Sequence, residues 1–521
     1  MATAEIAAQR AGADEFEKRH RMLITGCAML ATLMQALDNT IANVALPHMQ
    51  GSLSASREQI TWVLTSYVIA AAIMTAPVGW FTARFGRKHF FIACLAGFTV
   101  ASMLCGLAQS LSQIVLFRLL QGAFGAALVP LSQSIMLDIY PEEKRGTAMA
   151  VWGMCVMIGP ILGPTLGGYL TDLYDWRWVF YVNVPFGIAA IAGLWFFLHE
   201  HKKDDTLRFD WTGFAALALG LGALQLMLDR GTTKDWFSSS EIVIEGILAS
   251  IGLYLLIVHM LTEKKPFIPP RIFRDVGFVS GFAIMFVMGM VILASSALLP
   301  PYLQNLAGYS VQQAGLLMTP RGFGTMFSML LAARLARRFD PRLVSAAGVL
   351  MMAWSMWEMS KWTPEIGIWT LSMVGIVQGV GMGFVFVAIQ LVGFATLEPA
   401  LRTDGTALYA LIRSIGMAIG VSVATLVLSD SLQIVHAQLA EHVTPFNRAL
   451  QHGAQGLLWG IGTPFGLTNI DQQIQRQAAI IGYANDFKLM FWVCLPMLLL
   501  LPLMRRPKPS VGASATEPPL E

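Results

Sequence analysis

Two similar stretches decide the architecture: GWFTARFGRK (Gly79–Lys88) and, about 254 residues later, ARLARRFDPR (Ala333–Arg342). Each is a short basic segment that follows a long apolar run. Other matches occur in the same order at a separation of about 257 residues. They pair Gln121–Gly122 with Gln378–Gly379, and Ile158, Gly159 and Gly163 with Ile415, Gly416 and Gly420. Because the matching segments occur in the same order and at nearly the same separation, they predict two parallel repeats, an arrangement typical of transporters.

The chain as a whole is unusually apolar. Of its 521 residues 55% are hydrophobic and 13% charged, and the mean hydropathy is +0.59. Soluble domains carry about 25% charged residues, so a soluble protein is excluded. The high apolar content excludes a disordered chain, and the low cysteine count excludes a disulfide scaffold. The net charge of +3 gives no reason to expect nucleic acid as a partner. The composition predicts an all-α polytopic membrane protein.

Apolar runs long enough to cross a bilayer predict about 14 spans. They cover residues 22–46, 60–82, 89–109, 112–137, 147–170, 178–199, 211–229, 241–261, 277–303, 312–333, 343–360, 366–395, 404–428 and 487–504. The two central spans are interpreted as an insertion between the repeats. About 24 basic residues lie in loops on the side of the N-terminus and about 8 on the other side, which predicts that both termini are cytoplasmic.

The predicted organisation has five parts. They are an N-terminal cytoplasmic tail (1–21), a six-helix bundle (22–199), two linker transmembrane helices with flanking loops (200–276), a second six-helix bundle (277–504) and a C-terminal cytoplasmic tail (505–521). The second bundle includes a long polar loop, 430–486, on the outer side. Loops of this length are uncommon and are usually functional or disordered.

Ionisable side chains within the spans need an explanation, because each costs at least about 2.5–3.5 kcal/mol in lipid. Asp38 in the first span and Arg118 in the fourth have similar predicted depths, about 12 Å and 9 Å from the outer ends of their helices. Burial and a neighbouring arginine act in opposite senses on the proton affinity of a carboxyl, so a small rearrangement could switch its protonation. We therefore predict proton coupling at this pair. The alternative is that Asp38 only bonds nearby backbone, with Arg118 as its counter-ion.

Further polar residues in the spans are candidates for a substrate cavity or a gate. They are Gln35, Asn39, Asn43, Gln121, Arg321, Gln378 and Arg413. The deep arginines Arg321 and Arg413 could bind an anionic group or hold a gate, and equally they could tie helices together through backbone carbonyls.

The fifth span contains GPILGPTLGGYL, with glycines at Gly159, Gly163, Gly167 and Gly168 and prolines at Pro160 and Pro164. The glycines permit close helix approach and the prolines bend the helix. Helix packing alone would explain this pattern, but two Gly-Pro pairs in one span favour a rocking or sealing helix. The sequence carries no nucleophile–base, phosphate-loop or metal-ligand signature, so neither an enzyme nor a bound metal or other cofactor is expected.

These segments resemble the motifs of the major facilitator superfamily. GWFTARFGRK resembles its signature loop at Gly79, Arg84, Gly86 and Arg87, although the loop usually has an acid where Ala83 stands here. FRLLQGAFGAALVP (Phe117–Pro130) resembles the fourth-helix motif, and GPILGPTLGGYL the fifth-helix antiporter motif. LDNTIANVALP (Leu37–Pro47) resembles the first-helix motif of the fourteen-helix drug:proton antiporters. MLDRGTTKDWFSSSEI (Met227–Ile242) and HAQLAEHVTPFN (His436–Asn447) resemble segments of EmrB-type multidrug exporters.

The resemblance implies a major facilitator fold, with two pseudo-symmetric six-helix bundles plus two inserted helices. It also implies proton-driven efflux of hydrophobic or amphipathic drugs across the bacterial inner membrane, with Asp38 and Arg118 in coupling and protons as the coupling ion. Its implied partners are a periplasmic adaptor of EmrA type and, through it, an outer-membrane channel. The implied docking loop contains His436, Pro445, Phe446 and Asn447.

Other functions remain open on the sequence. They are export of a single endogenous metabolite, nutrient uptake, and ligand sensing without transport. The antiporter-type fifth span argues against uptake.

Overall fold

The computed structural model describes residues 19–199, 206–264, 266–398, 401–444 and 464–504. The N-terminal bundle begins with α1 (Arg21–Ser52) and the short α2 (Arg57–Ile60). It continues with α3 (Trp62–Thr75), α4 (Val78–Phe85), α5 (Arg87–Leu107), α6 (Leu111–Gly125), α7 (Leu128–Ile139), α8 (Glu142–Leu173), α9 (Trp178–Tyr181) and α10 (Asn183–Phe197). α3 and α4 meet at a bend of 59°. Pro77 lies at this bend and lacks the N–H that a continuous helix would need there.

The linker helices are α11 (Trp211–Arg230) and α12 (Ser240–Thr262), separated by 3₁₀ turns at Thr232–Lys234 and Trp236–Ser238. They pack against each other where the backbones of Gly220 and Gly252 approach closely. α11 also contacts both bundles: Asp229 accepts a hydrogen bond from Thr65 of α3, and the Leu228 carbonyl accepts one of 2.8 Å from Ser422. The linker therefore lies against the junction of the two bundles.

The C-terminal bundle follows a 3₁₀ turn at Pro270–Arg274. It consists of α13 (Val276–Pro301) with a π-helical turn (Tyr302–Leu306), α14 (Val311–Arg338), α15 (Pro341–Met359), α16 (Ile368–Gly393), α17 (Arg402–Glu441), α18 (Pro464–Cys494), α19 (Pro496–Leu500) and a 3₁₀ turn (Leu501–Leu503). Local sequence sets the helix starts. Ser310 and Gln313 form a reciprocal capping box at α14, and Asp340 followed by Pro341 begins α15.

The transmembrane pattern follows the order of the predicted spans. Within the described residues, nine helical stretches are long and apolar enough to cross a membrane, and the bent α3–α4 pair makes a tenth. Four further helices, α1, α8, α14 and α15, are 19–32 residues long but carry ionisable side chains. The total of fourteen spans stays a prediction, because these four are less apolar.

The loop predicted over residues 430–486 is helical at both of its ends. α17 continues to Glu441, and α18 begins at Pro464. At 1.5 Å per residue the 40-residue α17 is about 60 Å long, twice the thickness of the hydrocarbon layer. Its polar continuation is rich in Gln, Ala and Leu, which favour a helix in water as well as in lipid. Near the end of this helix pair His436 Nε2 lies 2.9 Å from Asp471 Oδ1.

The remaining part of the predicted docking loop, with Pro445, Phe446 and Asn447, lies outside the described residues.

The repeat seen in the sequence corresponds to one packing used twice. In the N-terminal bundle α8 lies against α1, so that a Cβ added at Gly159 would strike the Ala36 backbone and one at Gly163 would strike Thr40. In the C-terminal bundle α17 lies against α13 in the same way, with Gly416 on the Phe286 backbone and Gly420 on that of Met290. The glycines therefore set how closely each helix pair can approach.

The sequence predicts close helix packing at all four motif glycines. Gly167 packs closely against α1, whereas Gly168 does not. A Cβ at Gly167 would lie 2.9 Å from Ile41 Cγ1, whereas one at Gly168 would meet nothing within 4 Å. Of the four motif glycines, Gly159, Gly163 and Gly167 face α1 and are closely packed.

We expect Gly159→Ala to destabilise the protein by about 1–3 kcal/mol, because the added methyl forces α1 and α8 apart. Gly168→Ala is the matched control on the same helix, and it should be neutral or slightly stabilising. Thermal unfolding of the purified variants in detergent measures both effects. Equal midpoints for the two variants would contradict the packing role.

Candidate functional site

The predicted pair Asp38 and Arg118 forms a direct ion pair in the interior of the N-terminal bundle. Arg118 NH1 lies 2.6 Å from Asp38 Oδ2, and the two residues are 1% and 0% exposed. The residues come from α1 and α6, so the pair exists only because the bundle brings these helices together. Charge-assisted bonds of this length between fully buried partners are strong.

Neutral side chains complete the bonding of the carboxylate. Asp38 Oδ1 accepts hydrogen bonds from Gln121 Nε2 at 2.8 Å and from Asn183 Nδ2 at 3.2 Å. Asn183 at the start of α10 also donates to Ser102 Oγ at 3.0 Å, and Ser102 donates to the Phe180 carbonyl at 2.8 Å. Asn183 and Ser102 are missing from the sequence-based candidates. A single amide in the apolar run YVNVPFG was the available signal for Asn183.

Arg118 is held independently of the acid. Its Nε donates to the Val63 carbonyl at 3.0 Å, and its NH1 also donates to Gln121 Oε1 at 2.9 Å. The guanidinium carbon lies 4.2 Å from the centroid of the Tyr67 ring, within the range of a cation–π interaction. If the bond to Asp38 breaks, the guanidinium therefore keeps other partners in place.

The C-terminal bundle contains a neutral copy of this site. At the repeat separation of about 257 residues, Asp38 corresponds to Ser295, Gln121 to Gln378 and Arg118 to Gly375. Gln378 Nε2 donates to Ser295 Oγ at 3.2 Å, so the glutamine contact is retained while the ion pair is replaced. Gln378 is thus a member of a neutral interhelical pair.

Apart from Gln121, the cavity candidates make no bond to Asp38 or Arg118 among the described residues, and Gln35 lies beside Tyr67. Gln35 is half-buried, and Asn39 and Asn43 are exposed, with Asn43 Nδ2 donating to the Asn39 carbonyl at 3.2 Å. Arg321 is 9% exposed and donates to the Ile292 carbonyl at 3.3 Å, and it also lines a small apolar cavity between α13, α14, α15 and α16. Arg413 places its guanidinium 6.0 Å from the Phe386 ring. The bond from Arg321 to the Ile292 carbonyl agrees with the alternative in which this arginine ties two helices together through a backbone carbonyl.

The signature loop takes part in a contact between the two bundles. Gly86 has φ = 86°, which a side chain would disfavour, and it separates α4 from α5. Arg87 NH1 lies 2.7 Å from Asp138 Oδ2 on α7, and Arg402 NH1 of α17 lies 3.0 Å from Asp138 Oδ1. Asp138 therefore joins a loop residue to the opposite bundle. We call Arg87, Asp138 and Arg402 the inter-bundle clamp.

An acid from the C-terminal bundle lies beside the loop that lacks its own. A Cβ added at Gly79 would strike the carboxylate of Asp404 in the first turn of α17. Close by, Ser134 and Thr403 hydroxyl oxygens are 3.0 Å apart, and Thr406 donates to the Pro130 carbonyl at 3.2 Å. The two bundles are thus closed against each other at this end, which is cytoplasmic in the predicted orientation.

Comparison with known proteins agrees with this architecture. The family model of the Major Facilitator Superfamily matches residues 28–421. The chain belongs to the Major Facilitator Superfamily. Its relatives include the multidrug export protein EmrB of Escherichia coli (strain K12), which is 35% identical over 498 residues covering 94% of this chain and 96% of the relative. The fatty acid resistance protein FarB of Neisseria gonorrhoeae is 35% identical over 477 residues, covering 90% and 94%.

Solved structures of the superfamily share the fold. The proton:xylose symporter XylE matches with a TM-score of 0.57 at 15% identity, covering 93% of this chain and 99% of the symporter. The human organic anion transporter MFSD10 gives the same TM-score at 14% identity, covering 91% and 99%. The predicted major facilitator fold and the resemblance to EmrB-type multidrug exporters are both confirmed, and the chain is a multi-pass membrane transporter.

Removing one partner of the buried pair should destabilise the protein more than removing both. Arg118→Gln leaves the Asp38 carboxylate buried without its counter-ion, and we expect the free energy of unfolding to fall by about 3–5 kcal/mol. The double variant Asp38→Asn with Arg118→Gln should recover part of that loss, because neutral amides replace both charges. Thermal unfolding in detergent ranks the variants. Single losses that add up in the double variant would contradict coupling between the two side chains.

The inter-bundle clamp predicts a conformational effect of Asp138. In a variant without the native cysteines, Ser134→Cys with Thr403→Cys should form a disulfide, because the replaced hydroxyls are in contact. Adding Asp138→Asn removes two partly exposed ion pairs worth up to about 1 kcal/mol each, which should lower the equilibrium constant for closing by up to about 25-fold and so reduce disulfide formation. Gel-shift analysis after brief oxidation measures this. Glu358→Gln is the control, since Glu358 pairs with Lys361 outside the clamp; an equal effect of both variants would refute the clamp.

Proposed function

We propose that this chain exports hydrophobic or amphipathic drugs across the bacterial inner membrane in exchange for protons. The observation that carries the proposal is the fully buried Asp38–Arg118 pair inside one bundle of a Major Facilitator transporter. An intramembrane ion pair is a functional-site hypothesis by default, because the bilayer makes such charges expensive to keep. The names of relatives such as EmrB and FarB support drugs or fatty acids as cargo.

The geometry supports a simple switch at Asp38. A proton arriving on Oδ2 takes the place of the Arg118 NH1 bond, while Oδ1 keeps its bonds to Gln121 and Asn183. Arg118 then remains on the Val63 carbonyl and on Gln121. Protonation would therefore weaken the α1–α6 contact without leaving the guanidinium unbonded, so α1 can move relative to α6.

The same helix transmits the movement to the opposite bundle. Residues on either side of Asp38, Ala36 and Thr40, pack directly on Gly159 and Gly163 of α8, and Thr40 donates to the Gly159 carbonyl at 3.0 Å. Farther along α8, the Trp152 ring stacks on Phe386 of α16, with centroids 6.0 Å apart. A shift of α1 thus reaches the interface between the bundles through α8. This assigns the glycine-rich helix the role of a rocking element.

The orientation proposed for the cycle follows from the charge bias of the loops. With cytoplasmic termini, the inter-bundle clamp closes the cytoplasmic side, and protons would reach Asp38 from outside. Release of the clamp would then admit substrate from the cytoplasm or the inner leaflet while Asp38 is deprotonated.

The outer ends of α17 and α18 are the proposed surface for a periplasmic adaptor. Both helices continue as a paired extension beyond the apolar span, and the exposed His436–Asp471 contact lies on it. A helical extension offers the side-by-side groove that an adaptor hairpin could pack against. The adaptor would in turn connect the exporter to an outer-membrane channel.

The decisive test is pH-driven export of ethidium from proteoliposomes. Asp38→Asn keeps the size of the side chain but cannot exchange a proton, so we expect export to fall to the level of protein-free liposomes. Ethidium binding should persist, because the amide oxygen can still accept the bonds from Gln121 and Asn183. Asp430→Asn, which changes an exposed acid of α17, should transport like the unmodified chain.

Each rival function has its own signature in this assay. Full pH-driven export by Asp38→Asn would refute the proposed coupling. Binding of ethidium without any counterflow of protons in the unmodified protein would indicate a sensor. Export restricted to one compound across a panel of lipophilic cations and anions would indicate a dedicated exporter.

A further inference from the structure

The C-terminal bundle contains a second buried acid, Asp486 on α18, whose surroundings differ sharply from those of Asp38. Asp486 is 0% exposed, and neither of its carboxyl oxygens has a hydrogen-bond partner among the described residues. Asp38 is equally buried but accepts bonds on both oxygens. Buried polar groups are nearly always satisfied, so an acid with both oxygens unbonded needs an explanation.

Asp486 lies deep within a packed part of the bundle. One turn earlier on α18, Gly482 is covered by Leu428 of α17, with Leu428 Cδ1 3.1 Å from the position of a Cβ at Gly482. The neighbouring Phe487 is 0% exposed. The end of the last turn, Leu503, is 17 residues farther along, or about 26 Å. In the predicted orientation Asp486 therefore lies in the outer half of the membrane.

Two more unbonded polar groups belong to the same cluster. The Phe487 ring lies 6.5 Å from Tyr302 and 6.1 Å from Trp362 between centroids, and Tyr302 lies 5.4 Å from Tyr483. The Tyr302 hydroxyl and the Trp362 indole N–H are both buried without a hydrogen-bond partner among the described residues. One cluster thus contains two unused donors and one unused acid.

The elements packed against Asp486 contain few charged side chains. α13, its π-helical turn and α19 contain no Asp, Glu, Lys, Arg or His. On α15, Glu358 and Lys361 beyond its end pair with each other at 3.0 Å. The remaining titratable or charged residues are Arg342 of α15, Tyr302 of the π-helical turn, Arg402, Asp404, Tyr409, Arg413, Asp430, His436 and Glu441 of α17, and Asp471, Arg476, Tyr483, Lys488 and Cys494 of α18.

Of these, Asp430, Arg476 and Lys488 are exposed, and His436 contacts Asp471. Arg402 is held by Asp138 at the clamp end. On the same helix, Tyr483 lies one turn before Asp486 and is uncharged while protonated, and Lys488, two residues after Asp486, is exposed. No salt bridge forms at Asp486 among the described residues, so the acid lacks the counter-ion that Arg118 supplies to Asp38.

We propose that Asp486 is a second proton-binding site, used in the transport cycle by the outer half of the C-terminal bundle. An ionised carboxylate without a cation or donor is costly in a packed apolar interior, whereas the neutral acid is far less so. A proton is also the one cation that needs no cavity. Binding it lets α17 and α18 pack as observed, and releasing it places a negative charge that the Tyr302 hydroxyl and Trp362 indole can turn to solvate.

The site complements the neutral copy of the Asp38 cluster. Because Ser295 and Gln378 replace the ion pair in this bundle, Asp486 gives the C-terminal half its own response to protons. The use in transport rests on the proton-coupled export proposed above, whereas proton binding itself does not.

Infrared spectroscopy of the purified full-length protein tests proton binding directly. An ordinary aspartate is ionised at about pH 6–7. At this pH the spectrum of the unmodified protein minus that of Asp486→Asn should show the C=O band of a protonated carboxyl. The band should disappear reversibly at alkaline pH. Asp486→Glu should retain a titrating band, and Asp430→Asn should match the unmodified protein. Coincident spectra of the unmodified protein and Asp486→Asn at every pH would overturn the proposal.

A transport measurement tests use in the cycle. Asp486→Asn removes one of the two proposed proton sites. In proteoliposomes with a pH-sensitive dye it should therefore move about half as many protons per ethidium as the unmodified protein, and Asp486→Glu should restore the ratio. An unchanged ratio would overturn the role in the cycle. If the unmodified protein shows no proton movement with ethidium, the proposed function fails. The infrared band still decides the proton site, since that measurement needs no transport.

Discussion

The buried bond between Asp38 and Arg118 is the constraint around which the N-terminal bundle is arranged. An ion pair removed from water must have nearly complete bonding, because its desolvation can exceed its Coulomb attraction. The protein meets this requirement with two donors to the carboxylate, Gln121 and Asn183, and with the Val63 carbonyl as an acceptor for the arginine. Since these groups lie on different helices, the bundle and the charge pair specify each other.

The two halves of the protein share their packing but differ in their chemistry. Glycines hold α8 against α1 and α17 against α13 by the same close approach. The buried charge pair, in contrast, occurs in the first half, while its counterpart at Ser295 and Gln378 is neutral. The two bundles therefore share one packing scheme, while the buried ion pair belongs to the first bundle. The unbonded Asp486 shows that the second half has its own unusual acid, in a different place.

The inter-bundle clamp shows how a missing motif residue can be replaced by tertiary structure. Ala83 stands where the signature loop usually has an acid, and the sequence leaves open how the loop communicates with the rest of the protein. In the fold, Asp138 on α7 bridges Arg87 and Arg402, and Asp404 lies over Gly79. These are contacts between segments more than 50 residues apart or on opposite bundles, so no local pattern could indicate them.

The sequence by itself determined the class of the protein, the order of its helices and the internal repeat, because lipid demands long apolar runs and charges in it are rare. For the same reason it indicated Asp38 and Arg118, whose depths follow from helix rise alone. It failed for residues 430–441 and 464–486, where the helices continue with polar side chains that a hydropathy pattern does not indicate. The tertiary structure alone decided that Asn183 and Ser102 join the site, that Asp138 links the bundles and that Asp486 has no hydrogen-bond partner in the part of the chain that the structure describes. Each of these depends on which helix faces meet, and that is set by packing across the whole fold.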